Sequence, residues 1–245
     1  MLIQNLIDKG PSYDKEDIMW QLWSTLLHRY FPSPPPVQPG QPQINYAIYH
    51  EAYRGPAGNV GKHRPDHVVV RLWRSVNAGG QGSHVETRDL LWVECKPPSH
   101  DTPAKWKDLM EQVCERLRDA HPFREVFVIL AVGLKWMFFK WNPNNAIGSP
   151  LQVLGHHQNI AWTIGDARFS YDPHVVGQRH VILRNPPPPG NVPDLVDTTL
   201  AYSLDIYAVA SNGFPLHMGD LILLTRYFSY VYGAMVAGVN PPHWS

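Results

Sequence analysis

Cysteine is scarce in this chain of 245 residues, which contains 2 cysteines, Cys95 and Cys114. Two thiols exclude a disulfide framework and a four-thiolate metal site. The first residues also lack the basic and long apolar segments of a secretory signal peptide. We therefore expect an intracellular protein, located in the cytoplasm or the nucleus.

Net charge is also absent, because Lys plus Arg and Asp plus Glu number 21 each. The overall charge therefore predicts no partner, and a nucleic-acid-binding protein with this composition needs a local basic patch. A phosphate-binding loop of the P-loop kind is missing as well, since "NAGGQG" (77–82) is followed by a strand pattern and not by a helix. A hydrophobic content of 44% is sufficient for a substantial core.

One apolar run approaches the length of a membrane span. "LILLTRYFSYVYGAMVAG" (221–238) has 18 residues and a single charge, Arg226. The neighbouring Asp220 and the interspersed Tyr and Ser residues favour a buried or partner-facing helix, so membrane association is the weaker interpretation. We expect the region 215–239 to serve as a surface for a homodimer or a protein partner.

The order of helices and strands can be predicted for the first 145 residues. A helix is predicted over 13–30 from its apolar spacing, and a proline-rich connector follows it. Three strands are then predicted over 43–54, 65–75 and 85–96, with the second and third paired as a hairpin. The next segment, 100–121, has Thr102 as a helix N-cap and an apolar stripe, which indicates a helix.

The remaining segments complete the predicted α/β fold. "REVFVILAVG" (124–133) is a continuous apolar run, as in a strand buried on both faces, and 135–143 predicts another strand. The predicted core therefore consists of a helix, a three-strand meander, a second helix and a further strand, within a domain of residues 1–145. Residues 146–245 are predicted to be a C-terminal α+β extension packed on this core, either separate or part of the same domain. Its predicted elements are strands at 159–172 and 178–185, and helices at 194–213 and 221–238.

The segment "LLWVECKPPSH" (90–100) places charges at the end of a buried strand. Strand periodicity puts residues 90, 92, 94 and 96 on one face, so Glu94 and Lys96 point the same way and Cys95 points into packing. Asp66 begins the neighbouring strand and can approach Glu94. Two adjacent carboxylates repel unless a cation lies between them, and oxygen ligands suit Mg²⁺ or Mn²⁺. Lys96 can then orient a nucleophilic water or offset the charge of a phosphate.

These residues resemble a known motif. "PD" at 65–66, followed after 27 intervening residues by "ECK" at 94–96, resembles the PD-(D/E)XK nuclease superfamily, whose members have the restriction-endonuclease-like fold. The resemblance covers about residues 13–140 and is that of a divergent member. It implies that Asp66 and Glu94 are metal ligands and that Lys96 is the catalytic lysine.

The resemblance also implies supporting residues. Many members place a glutamine on the following helix, which corresponds to Gln112 here. The aromatic residue that usually follows four positions later is replaced by Arg116, which is a departure from the pattern. A glutamate from the first helix often joins the metal ligands, and Glu16 is the candidate, with Glu51 on the first strand as a competitor. Candidate substrate-binding residues are Lys62, Arg64, Lys105 and Arg116.

Each candidate also has a purely structural interpretation. Glu94 and Lys96 can form a solvated ion pair at a strand edge, which contributes little to stability. Asp66 can be a turn residue at a strand entry. Gln112 and the basic residues of its helix can form a solvated face, and Glu16 can complement the dipole of the first helix.

Two functional hypotheses follow from the sequence. The first is a nuclease that depends on Mg²⁺ or Mn²⁺ and hydrolyses phosphodiester bonds of nucleic acid, with DNA as the first candidate substrate and RNA as the second. The second is a catalytically inactive binding or assembly module with the same nuclease fold, which acts through protein partners or as a homodimer.

Overall fold

The computed structural model describes residues 3–4, 8, 14–31, 43–51, 64–76, 83–144, 150–153, 201–207 and 216–236. Its longer helices are α1 (Glu16–Tyr30), α2 (Pro103–Ala120) and α3 (Leu216–Val236). The strands are β1 (Gln43–His50), β2 (His67–Val76), β3 (Ser83–Lys96), β4 (Val126–Val132), β5 (Lys135–Trp141), β6 (Leu151–Val153) and β7 (Tyr202–Ser203).

The strands form one mixed sheet in the order β1-β2-β3-β4-β5-β6, with β7 also paired to β5. The pair β3 and β4 is parallel, because α2 carries the chain back between them, and every other described pair is antiparallel. The predicted α/β class is confirmed. The elements up to β4 follow the predicted order of helix, three strands, helix and strand.

Helices cover both faces of the sheet. On one face, α1 and α3 pack on a cluster that includes Trp23, Val93 and Tyr227. On the other face, α2 packs through residues such as Trp106 on a second cluster that contains Trp92. Every residue of β4 is buried, because this central strand lies beneath helices on both sides.

The local sequence explains where α2 begins and which face it buries. The Thr102 hydroxyl accepts a hydrogen bond from the backbone N–H of Lys105 (3.3 Å), and Pro103 occupies the first helical turn, as predicted. The predicted apolar stripe is buried and consists of Trp106, Leu109, Val113 and Leu117. The apolar side of α2 therefore faces the sheet, and this orientation determines where the polar residues of the helix lie.

One predicted orientation is wrong. Leu90 packs in the cluster with Leu91, Val93 and Cys95, and not on the face that carries Trp92. The register between β2 and β3 shifts at this point, because Val69 pairs with Leu91 whereas the next residue of β2 pairs with Asp89. Such a bulge adds one residue to a strand and reverses the alternation of side chains before it. From Leu91 onward the predicted alternation holds, and Cys95 is buried as expected.

The described part of segment 146–245 contributes to the same sheet. The helix predicted over 194–213 is wrong for the described residues 201–207, because Tyr202 and Ser203 form β7 on β5. The Asp220 carboxylate accepts a hydrogen bond from the Ser203 backbone N–H (2.7 Å), which ties β7 to α3. The strands predicted at 159–172 and 178–185 lie outside the described residues.

The helix predicted over 221–238 is confirmed and corresponds to α3 (Leu216–Val236). Five of its apolar side chains are buried in the same cluster as α1, namely Leu223, Leu224, Tyr227, Phe228 and Val231. Among the described residues, no helix has the length and apolar character that crossing a membrane requires.

Candidate functional site

Asp66 lies directly before β2 and bonds to the neighbouring strand. Its Oδ2 atom accepts a hydrogen bond from the backbone N–H of Cys95 (2.5 Å). Because the next residue, His67, is paired with Val93, this bond places Asp66 beside Glu94 at the end of β3. The expected approach of Asp66 to the Glu94 position is therefore present in the fold.

Glu94 is a carboxylate in the protein interior, with 1% of its surface exposed. Its Oε1 atom accepts a hydrogen bond from Arg116 Nη1 (2.6 Å), whereas no described residue donates a hydrogen bond to its buried Oε2 atom. Burial, together with the negative charge of Asp66, raises the pKa of Glu94 to about 8, despite the opposing effect of Arg116. The positive charges of Lys96 and Arg116 thus do not fully compensate the negative charges of Glu94 and Asp66.

The carboxyl group of Asp66 is perturbed in the same direction. Burial raises its pKa to about 6, and the charge of Glu16 acts in the same sense. The Cys95 hydrogen bond and the charges of Lys96 and Arg116 oppose this rise without cancelling it. Two adjacent acids therefore both resist ionisation in the folded protein, which is the electrostatic condition that a cation relieves.

Lys96 forms an ion pair with Glu16 in the first turn of α1. Burial alone would lower the pKa of Lys96, but the Glu16 hydrogen bond and the charges of Asp66 and Glu94 together raise it above the ordinary value. Lys96 is therefore a protonated ammonium group at neutral pH. Glu16 has the predicted first-turn position and also contacts the site through this lysine.

The end of β3 is held in place by a tight turn. The Lys96 carbonyl accepts a hydrogen bond from the Gly133 backbone N–H (2.9 Å). Gly133 has φ 56°, and a Cβ atom at this position would lie 3.0 Å from Pro98 Cγ. A glycine is required here both by the backbone conformation and by the close approach of the proline. The position of Lys96 thus depends on a residue 37 positions later in the chain.

Arg116 is the residue whose structural role the sequence did not indicate. Its Nη1 atom donates to Glu94 and also to the backbone carbonyl of Arg64 (3.1 Å). The sequence predicts that it contacts substrate, and in this structure its side chain also offsets part of the charge on Glu94 and fixes the segment before Asp66. A signal was available, because Gln112 and Arg116 are separated by one helical turn and share a face of α2.

A histidine pair supports the other side of Asp66 and was also missed. His67 is fully buried, and its Nδ1 atom lies 2.8 Å from Nδ1 of His50 on β1. Its Nε2 atom lies 2.9 Å from the carbonyl oxygen of Trp20 on α1. Burial lowers the pKa of His67 to about 3, with a contribution from His50, so the ring is neutral. These contacts connect α1, β1 and β2 directly behind Asp66.

The remaining candidates are more peripheral. Gln112 is half-buried and makes no side-chain hydrogen bond within the part of the chain that the structure describes, and Glu51 is exposed at the end of β1. Lys105 pairs with Asp108 (3.4 Å) on the exposed side of α2. Arg64 is exposed and contributes its carbonyl oxygen, as described above. Lys62 lies outside the described residues.

The described residues contain no cluster of three or more His, Cys, Asp or Glu side chains arranged for a metal ion. What they contain is a pair of acids, Asp66 and Glu94, with two cations, Lys96 and Arg116, beside them. Such a group can hold a cation between the carboxylates and present an ammonium group to an anionic substrate.

Comparisons with known proteins supply no relative for this chain. No model of a known protein family matches the sequence, and neither a curated protein nor a solved structure matches it. The functional argument therefore depends on the residues of the site alone.

Proposed function

We propose that this protein is a divergent PD-(D/E)XK nuclease with a restriction-endonuclease-like core, which hydrolyses phosphodiester bonds of nucleic acid, with DNA as the first candidate substrate. The observation that carries the proposal is the hydrogen bond from Cys95 N–H to Asp66, which sets this carboxylate beside buried Glu94 with Lys96 next along the strand. Supporting it is the order of elements up to β4, which agrees with the order that the resemblance implies.

The residues present fit a hard divalent ion. The Oε2 atom of Glu94 is buried and has no hydrogen-bond partner in the described part of the chain, and an unsatisfied buried carboxylate oxygen is costly unless a ligand occupies it. Asp66 and Glu94 would hold Mg²⁺ or Mn²⁺, both of which prefer oxygen ligands. When bound, such an ion supplies Lewis acidity to a phosphate oxygen.

Lys96 has a defined role in this proposal. Because its pKa is raised, it is not the base that removes a proton from the attacking water at neutral pH. Its ammonium group instead donates hydrogen bonds that orient the water or the scissile phosphate, and it stabilises the negative charge that develops on the phosphate. Glu16 holds the lysine in position, so Glu16 is a positioning residue in this scheme and not a metal ligand.

The proposal is tested by a metal titration followed by a cleavage assay. Calorimetry with Mn²⁺ is expected to give one binding event for the wild type and a much weaker one for Asp66→Ala. Lys96→Ala is expected to keep Mn²⁺ binding and to lose cleavage of DNA in the presence of Mg²⁺. Circular dichroism establishes that both variants are folded. Full cleavage by both variants would refute the proposed roles.

One observation favours the second candidate function, a nuclease-fold module without catalysis. Arg116 already places a guanidinium group against Glu94, 2.6 Å from Oε1, and this supplies part of the charge that a metal would bring. The protein would then act through a partner or a homodimer. A protein that binds no Mn²⁺ at millimolar concentration, and cleaves neither DNA nor RNA, would support this function and exclude the first.

A further inference from the structure

A cavity of about 600 Å³ lies on the α2 side of the sheet and contains none of the residues assigned above to the nuclease site. Its walls come from β1, β2, β3 and the segment that follows α2. The volume is within the range of pockets that hold small organic ligands. The cavity therefore needs an explanation that the nuclease site does not give.

The rim of this cavity carries an aromatic ring and a cation that have no partner among the residues that the structure describes. Phe123 lines the cavity and is 82% exposed, and within the described residues its ring contacts no other aromatic ring. Arg124, the next residue, is exposed and makes no ion pair with any described residue. A second aromatic residue, Tyr49, lines the same cavity and is 43% exposed. Exposed aromatic rings beside an exposed arginine that pairs with no described acid favour a ligand with a flat ring and a negative charge.

The deeper wall is polar and rigid. The Asp89 carboxylate accepts hydrogen bonds from the indole N–H of Trp92 (3.1 Å) and from Nε2 of His121 (3.2 Å). The His121 ring also packs edge-on against Trp92, with ring centroids 5.4 Å apart. These contacts fix two hydrogen-bonding side chains in the wall. The buried acid belongs to the deeper wall and the exposed arginine to the rim, so a ligand whose anion lies at the rim matches the charges.

We propose that this cavity binds a nucleotide, with the base stacked on Phe123 and Tyr49 and the phosphate held by Arg124. Base stacking on aromatic side chains is independent of sequence, because every base has a π-face. The nucleotide comes either from a single strand that also reaches Glu94 or from a free mononucleotide. The first source rests on the proposed nuclease function, and the second does not.

The spacing agrees with a strand that crosses both sites. Asp89 precedes Glu94 by five residues on the same strand, which corresponds to about 15 Å of strand length. A single strand that occupies the cavity and the carboxylate pair together has to span at least this distance, and a strand of 10 nucleotides exceeds it even at the duplex rise of about 3.4 Å for each nucleotide.

Binding is measured with the full chain in EDTA, so that the result is independent of metal binding and of cleavage. The probes are deoxyadenosine monophosphate, followed by calorimetry, and a fluorescein-labelled single strand of 10 nucleotides, followed by anisotropy. Phe123→Ala and Arg124→Ala are expected to weaken binding by about 5- to 100-fold. Both residues are exposed, so neither change should disturb folding. Tyr207→Ala and Arg118→Ala remove an exposed aromatic and an exposed cation elsewhere, and serve as matched controls.

The two sources of nucleotide give different results. If the wild type binds the mononucleotide and the Phe123 and Arg124 variants bind it much more weakly, the ligand is a free nucleotide. Binding of the 10-nucleotide strand alone, with the same losses, identifies a strand. The proposal is overturned if neither probe binds, or if the two cavity variants bind as tightly as the two control variants. Because no metal is present, a failed nuclease assay does not affect either result.

Discussion

Arg116 Nη1 lies 2.6 Å from Oε1 of Glu94, so a guanidinium group from α2 meets a buried carboxylate at the end of β3. The same Nη1 atom also contacts the Arg64 carbonyl oxygen, in the segment that leads to Asp66. One side chain therefore connects the helix to both strands that carry the acids. This relationship makes the site dependent on Arg116 for its structure, whatever ligand the site holds.

Removing Arg116 is expected to destabilise the protein. In Arg116→Ala, Glu94 loses its hydrogen-bonded cation while remaining buried, and breaking a buried ion pair by removing one partner costs about 3–5 kcal/mol. Because Glu94 holds its proton up to about pH 8, the free energy of unfolding, measured by chemical denaturation, should fall by about this amount at pH 9 and by less at pH 7. Arg118→Ala, on the exposed side of the same helix, should change it by no more than about 0.5 kcal/mol. Equal effects of the two substitutions would contradict the structural role of Arg116.

The raised pKa of Glu94 predicts a pH dependence of stability. The folded protein holds the Glu94 proton up to about pH 8, whereas the unfolded chain releases it near 4.5. The folded state binds more protons in this interval, so the free energy of unfolding decreases as the pH rises. Asp66 titrates near 6 when folded, and His67, whose folded pKa is lowered to about 3, contributes an opposing slope only while the unfolded chain still binds its proton, near pH 6.5 and below; the interval from pH 6.5 to 8 therefore reports mainly on Glu94.

The expected decrease from pH 6.5 to 8 is about 1.5 kcal/mol, measured by urea denaturation at several pH values. Glu94→Gln should remove most of this slope, because the amide does not titrate. Glu111→Gln, an exposed substitution on α2, should leave the slope unchanged. A wild-type protein with a flat profile in this interval would mean that Glu94 is ionised throughout it.

Gly133→Ala tests how the end of β3 is held. The substitution forces a side chain into a left-handed backbone conformation and against Pro98, so we expect the free energy of unfolding to fall by about 1–3 kcal/mol. Asparagine tolerates positive φ better than alanine does. Gly133→Asn should therefore lose less free energy of unfolding than Gly133→Ala if the backbone conformation causes most of the loss. Equal losses would assign the effect to the contact with Pro98. No loss in either variant would show that the turn does not constrain Lys96.

Much of the fold was predictable from local chemistry. Thr102 and Pro103 indicated where α2 begins, and the apolar run 124–133 indicated a strand buried on both faces. These signals are readable because they depend on neighbouring residues alone. The spacing between Asp66 and Glu94 likewise predicted their approach, since a hairpin needs only two strands and a turn.

The errors arise where distant residues decide the outcome. The orientation of Leu90 depends on a bulge, and no glycine or turn residue in the sequence indicates this bulge. Residues 202–203 form a strand because β5 offers a partner edge, although their local pattern suggested a helix. Arg116 pairs with Glu94 because α2 crosses the sheet at that point, and the geometry of this crossing is not visible from helical periodicity.

The rate of DNA cleavage in Mg²⁺ by the wild type, Asp66→Asn and Asp108→Asn tests the proposed function most directly. Asp66→Asn keeps the shape of the side chain and removes one charge beside Glu94, while Asp108→Asn makes the same change at an exposed position of α2. We predict cleavage by the wild type and by Asp108→Asn, and a loss of at least about 100-fold in Asp66→Asn. All cleavage should stop in EDTA. Equal rates for the three proteins, or cleavage that persists in EDTA, would contradict a metal-dependent site at Asp66 and Glu94.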